Sequence, residues 1–286
     1  MAAGQPPSDP DQRMPDAPSS LDVHARMVRA RQDTEVTGRA IDLNADLGES
    51  DGDLALMSIV TSANVACGGH AGDTASMTAA VGAARAHGVT IGAHPSYRDR
   101  PNFGRRELNV PPEKVAAEVT HQVQALCRLA ELQGAAVSYL KLHGALYHRA
   151  GRDPACAEAI LQSLADAGLG HLPVLAQPGA ALLKAARARG WMGAEEAFCD
   201  RSYRPDGSLL DRSEPGALLL RPEAAARQAV ELALDGGVRT ADGSWLELRP
   251  ASLCVHGDTP SALEVARAVR RALENAGAVI APFAGT

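Results

Sequence analysis

The chain has 286 residues, 45% apolar and 22% charged, with 28 basic against 34 acidic side chains and a formal net charge of −6 at pH 7. This composition excludes a disordered chain, and the acidic balance with only 3% aromatics excludes a basic, base-stacking surface for nucleic acid. No stretch reaches the length of uninterrupted apolar residues that a membrane helix requires, so no membrane association is expected.

Residues 1–39 hold Pro6, Pro7, Pro10, Pro15 and Pro18 among polar residues, with six acids, five bases and no apolar run of a targeting signal. They read as a disordered extension. Residues 40–286 then form one domain, close to the roughly 250 residues typical of a (β/α) barrel. From Ala40 onward short apolar runs alternate with helical periodicity, the pattern of buried parallel strands joined by crossover helices. Strands are expected over 40–44, 59–66, 88–94, 136–142, 172–177, 191–198 and 251–256. Helices are expected over 73–87, 112–133, 154–168, 178–190, 222–235 and 259–276. In the second, Val115, Val119, Val123, Leu126 and Ala130 form one apolar stripe, so that helix should lie on a sheet. Thr259 and Pro260 read as the cap and first position of the last helix. Five cysteines, odd in number and without a C-x-x-C pair, point to a reducing, cytoplasmic setting.

The polar chemistry falls at the ends of strands. The first runs out into Asn44, Asp46 and Glu49, the second into Asn64, Cys67 and His70, and the third into His94. The fourth carries Lys141 and His143, the sixth Glu195, Glu196, Asp200 and Arg201, and the seventh His256 and Asp258. In parallel α/β folds the loops after strand C-termini share one face, so these groups converge on a single mouth. At strand period Asp42, Asn44 and Asp46 point to the same side, into the barrel lumen. Lys141 and His143, two apart, also share a face, and a buried ammonium needs a partner, with Glu195 or Asp46 expected. Tyr147 follows beyond a glycine turn, and FGRRE at 103–107 brings Arg105, suited to a carboxylate. Cys67 and His70 have no second pair at zinc-ligand spacing, no phosphate-binding glycine loop is present, and no metal is expected.

DLNADLGE, SANVACGGHAGD, IGAHPSYRD, FGRR, KLHGALY, FCDRSY and CVHGD, in this order from Ile41 onward, resemble the LamB/YcsF family. The resemblance implies a seven-stranded (β/α) barrel of the glycoside hydrolase/deacetylase-like kind. It also implies ATP-dependent hydrolysis of the lactam 5-oxo-L-proline to L-glutamate, with magnesium-bound ATP as co-substrate and 5-oxoprolinase subunits B and C as partners; a homo-oligomer is also compatible with it. The chain departs from the family's motifs at Gly69, where an aromatic is usual, at Leu142 for proline and at Cys199 for alanine. Each swap spares the ionisable positions. On this reading Asp46, His70, His94 and His143 are candidates for general base and acid, and Lys141 for stabilising the oxyanion. Arg105 or Arg201 would clamp the substrate carboxylate, with Asn44, Asn64, Tyr147, Glu195, His256 and Asp258 orienting it. Two other readings stand beside it: a metal-dependent carbohydrate deacetylase using Asp46 and two histidines, and a non-catalytic component that holds a small acid.

Overall fold

The computed structural model describes Met1, residues 40–259 and residues 261–285. The extension expected over residues 1–39 lies, Met1 aside, outside the described residues. Strands β1 (Ala40–Leu47), β2 (Ser62–Ala66), β3 (Thr90–His94), β4 (Val137–Leu140), β5 (Val174–Ala176) and β6 (Gly193–Phe198) pair in sequence, all parallel. Two short strands, β7 (Gly237–Arg239) and β8 (Trp245–Glu247), form an antiparallel hairpin of their own. β9 (Ser252–Val255) then inserts between β6 and β1, which closes a parallel barrel of seven strands among the described residues. β10 (Val279–Ile280) adds a parallel pairing to the first two residues of β1.

All seven expected barrel strands form, each within a few residues of its expected bounds. β1 shows why the period matters. Leu43, Ala45 and Leu47 join the apolar layer beneath the helices, while Asp42, Asn44 and Asp46 alternate into the lumen. That alternation is buried on both faces, as a closed barrel requires.

The helices are α1 (Thr74–His87), α2 (Pro112–Leu132), α3 (Gly144–Arg152), α4 (Pro154–Asp166), α5 (Ala181–Ala188), α6 (Pro222–Val230) and α7 (Ala262–Asn275). α1 begins with a reciprocal cap between Asp73 and Ser76, and α4 with Asp153 accepting from the Ala155 and Cys156 amides ahead of Pro154. The apolar stripe of α2 is buried throughout, as its spacing predicts. Two expectations are corrected. The HGALY stretch is the opening of α3 rather than a turn, with Gly144 at φ +54° where a Cβ would press on the Gly104 carbonyl. The last helix begins at Ala262 after Ser261, no side-chain oxygen among the described residues caps it, and Pro260 lies outside those residues.

A second, smaller core lies at the floor of the lumen. Tyr139, Leu175, Ala194 and Ala284 pack there with Phe283, whose ring meets Tyr139 edge-on at 4.9 Å. Tyr139 crosses the lumen directly over Gly92, where a Cβ would fall inside the phenol ring. No helix among the described residues is long and apolar enough to cross a membrane.

Candidate active site

Above the floor the lumen is polar and closely paired. Asp42 accepts from Thr61 Oγ1 at 2.6 Å, from Ser62 Oγ at 2.7 Å and from Ser252 Oγ. Asn44 Nδ2 donates to Ser252 Oγ at 2.6 Å. Asn64 Nδ2 donates to Asn44 Oδ1 at 2.7 Å and to Asp46 Oδ1 at 2.8 Å, and the Tyr139 hydroxyl donates to Asn64 Oδ1 at 2.6 Å. Asn44 and Asn64 therefore stand beneath the mouth and hold other side chains, and the cavity is lined by others.

Lys141, at the end of β4, is 2% exposed. Its Nζ lies 3.1 Å from Asp46 Oδ1, 3.2 Å from Asn44 Oδ1, 3.1 Å from Cys254 Sγ and 3.0 Å from Glu196 Oε2. An ammonium has three hydrogens. With four acceptors around it, Lys141 keeps no donor free for a ligand. Burial opposes its charge, but Asp46, Cys254 and Glu196 outweigh burial and hold its pKa well above the usual lysine value. The expected partner Asp46 is present, while Glu195 is not the other one. Glu195 faces outward from β6 and pairs with Arg187 at 3.1 Å. Its neighbour Glu196, fully buried, points inward instead, because side chains alternate along a strand. The Tyr147 hydroxyl faces Glu196, and burial together with that carboxylate holds its pKa well above the usual tyrosine value.

Three histidines and one glutamate meet at the C-terminal ends of β1 to β4. Glu49 is set by the loop after β1, whose Gly48, Glu49 and Ser50 amides donate to Asp53 at 3.2, 2.8 and 2.9 Å. His70 Nε2 donates to Glu49 Oε1 at 2.7 Å, while His70 Nδ1 lies 2.8 Å from Ser96 Oγ. A Cβ at position 69 would collide with Ser96 Oγ and lie 2.7 Å from Gln122 Oε1. Glycine at this departure from the family motif is what lets Ser96 close on His70.

His94 Nδ1 donates to the Lys141 carbonyl at 2.8 Å, and His143 Nε2 donates to the Phe103 carbonyl at 3.0 Å. A carbonyl only accepts, so these two nitrogens carry hydrogen. The remaining nitrogens, His94 Nε2 and His143 Nδ1, face each other at 3.0 Å. His94 Nε2 also lies 3.3 Å from Asp46 Oδ2, and His143 Nδ1 lies 3.2 Å from Glu49 Oε1. Burial lowers the pKa of both rings, but Asp46 outweighs it at His94 and raises that ring above its ordinary value. At His143 burial wins and the pKa falls; at His70 burial pushes it down to about 4. His94 is thus the imidazolium, and it shares its Nε2 proton with neutral His143. Burial raises the pKa of both carboxylates, yet Asp46 is held well below the usual range by His94 and Lys141, and Glu49 by the neighbouring His143 and by the hydrogen bond from His70.

Glu49, His70, His94 and His143 bring one donor atom each within 4.8 Å of the others. The His70 and His143 rings, however, stack at 3.6 Å with an angle of 1°. A metal lies in the plane of each imidazole that binds it, so two rings stacked in parallel do not serve one ion. The donor set fits a proton relay better than a metal centre.

The cavity above this group has a volume of about 570 Å³. Asp46, Glu49, His94, Lys141, His143, Tyr147 and His256 line its inner part, and Arg105 and Arg201 its rim. His70 sits behind Glu49 and outside the lining. His256 Nδ1 is fixed by Asp200 Oδ1 at 2.8 Å and its ring stacks near Phe198. Burial raises the Asp200 pKa, but His256 overrides it and brings it below the usual value. Asp258 bridges Arg105 and Arg212, so it neutralises the rim instead of facing the cavity. Glu49, Glu196 and Arg212 belong to the site although the motifs assign them no role. The alternation of β6 is the signal for Glu196; Glu49 and Arg212 lie in loops that carry no period.

The LamB/YcsF family model matches residues 41–286. Over 250 residues the chain is 50% identical to the 5-oxoprolinase A subunit of Streptomyces coelicolor, a match covering 85% of this chain and 100% of that protein. It is 45% identical over 253 residues to the 5-oxoprolinase A subunit numbered 3 in Pseudomonas syringae pv. tomato, covering 86% and 98%. The crystal structure of a lactam utilization protein from Thermus thermophilus superposes with a TM-score of 0.79 at 42% identity, covering 85% of this chain and 100% of that one.

Proposed function

The chain belongs to the LamB/YcsF family, and from that premise we propose that it is the lactam-hydrolysing component of a cytoplasmic, ATP-dependent 5-oxoprolinase that works with subunits B and C. The names of its relatives support the lactam and the division into subunits. The observation that carries the reading for this chain is the pair at the cavity floor: a cationic His94 sharing a proton with neutral His143 at 3.0 Å.

Such a pair supplies both halves of amide hydrolysis. As the carbon–nitrogen bond breaks, His94 delivers its Nε2 proton to the ring nitrogen, and His143 Nδ1, released from that proton, accepts one from the water whose oxygen joins the lactam carbonyl carbon; L-glutamate is the product. Asp46 and Glu49 hold the charges of the relay. Lys141, with every hydrogen engaged below, contributes positive potential and fixes Asp46 rather than donating to the oxyanion. Tyr147 and His256 line the inner cavity beside the pair and orient the lactam. The chain carries no glycine-rich phosphate loop of its own, so the nucleotide step belongs to the assembled complex.

The test is to mix the purified chain with subunits B and C and measure glutamate formed from 5-oxoproline with and without ATP. ATP-dependent glutamate formation that disappears with His143→Ala is expected. No glutamate in any mixture overturns the reading.

A further inference from the structure

Five arginines line the outer part of the cavity: Arg105, Arg152, Arg201, Arg204 and Arg212. Four are matched by carboxylates. Arg152 pairs with Glu107, Arg204 with Glu214, and Arg105 and Arg212 share Asp258. Arg201 is different. It is 6% exposed, yet among the described residues no carboxylate lies within ion-pair distance of its guanidinium. Its Nη2 donates to the Leu210 carbonyl at 2.6 Å and its Nε has no hydrogen-bond partner. A nearby Asp211 does not fill the gap, since its carboxylate is turned to the Ser213 amide and hydroxyl.

A buried guanidinium with no ion-pair partner is costly, and an anionic ligand seated against it relieves that cost. The field around it is positive on balance. Burial and Arg212 lower the Arg201 pKa and Arg105 adds to them, outweighing the opposing pull of Asp200 and Tyr203, while burial and then Arg201 lower His148 on the same wall. A single five-membered lactam over the histidine pair leaves much of the 570 Å³ unfilled, a volume suited to a drug-sized ligand.

We propose that Arg201, with Arg212 and Arg105 beside it, forms a phosphoryl-binding subsite at the rim, separate from the lactam position over His94 and His143. The guanidinium fork presents parallel N–H groups, and a tetrahedral dianion with three outer oxygens engages several forks at once, which a planar carboxylate does not. Shared by Arg105 and Arg212, Asp258 leaves one charge of that pair uncompensated for the incoming anion. The phosphoryl group belongs either to a nucleotide or to a phosphorylated small acid. Assigning it to a reactant of lactam hydrolysis rests on the function proposed above; the subsite itself does not.

Isothermal titration of the full chain with inorganic phosphate, pyrophosphate, ATP and acetate tests it. Phosphate and pyrophosphate are expected to bind, acetate much more weakly, and Arg201→Met to weaken phosphate by about 10- to 100-fold, the range for a charged hydrogen-bonded contact. ATP binding much tighter than phosphate identifies a nucleotide, and equal binding identifies the phosphorylated acid. Because Arg201 is buried, Arg212→Gln serves as a second variant, with Arg98→Gln, an exposed residue paired with Glu118 outside the cavity lining, unchanged. Absence of phosphate binding, acetate binding as tight as phosphate, or full affinity in a folded Arg212→Gln and Arg201→Met overturns the proposal. Titration with 5-oxoproline is read separately: phosphate binding without lactam binding removes the proposed function and leaves the subsite standing.

Discussion

The inner lumen and the rim of the cavity are both dense in charge, and they are built on opposite terms. In the lumen the ionised groups are buried and mostly met by several partners, as with Asp46, which touches Asn64, Lys141 and His94, while Glu196 is ion-paired with Lys141 alone among the described residues. At the rim the pairs are single, half-exposed and unequal in number, as with Arg105 and Arg212 on one Asp258. The lesson concerns what each can do. A fully satisfied network holds geometry and fixes protonation states, while an incompletely satisfied one has charge left over for a ligand.

The sharpest way to break the contrast is Lys141→Met. It leaves Glu196 as an uncompensated buried carboxylate and takes from Asp46 one of its two cations, so it is expected to lower unfolding free energy by about 3–5 kcal/mol, read from urea denaturation. An unchanged midpoint would mean that the lumen is wetter than its packing shows. Next comes Gly92→Ala. The added methyl displaces Tyr139 and its bond to Asn64, with an expected cost of about 1–3 kcal/mol from overpacking, visible as a lower melting temperature.

The third concerns acid. His70 has its pKa pushed down to about 4 by burial, and it faces Glu49, Ser96, His94 and His143. Between about pH 6.5 and that value the unfolded chain holds a proton that the folded one refuses, so stability falls as pH is lowered through this window. The expected loss is about 3 kcal/mol across the window, and His143, also depressed, acts in the same direction. Denaturation midpoints of the wild type and His70→Gln at pH 7 and pH 4.5 check it: the variant should show the shallower slope, and parallel slopes refute the assignment. The smallest effect is expected at the rim. Arg152→Gln removes an exposed pair with Glu107 and should change stability by less than about 1 kcal/mol.

The same division explains what is legible in the sequence. Residues on strands can be placed because the two-residue period carries them: Asp42, Asn44 and Asp46 point inward together, and His94 and Lys141 follow. The period fails when its phase is off by one, which exchanges Glu196 for Glu195. Loop residues have no period at all. Glu49 depends on three amides gathered by Asp53, and Arg212 on a carboxylate 46 residues away, so neither distance nor role is written in local pattern. α3 is hidden for a related reason, since a glycine that opens a helix looks the same in sequence as one that makes a turn.

The floor of the barrel has a consequence in time. β10 supplies a pairing for the start of β1, and Phe283 and Ala284 cover Tyr139 from below, yet these residues follow every other part of the body in the chain. During synthesis the strands can assemble while the lumen is still open to water at its base. The buried ion pairs reach their dry setting only when residues 279–284 seat beneath them.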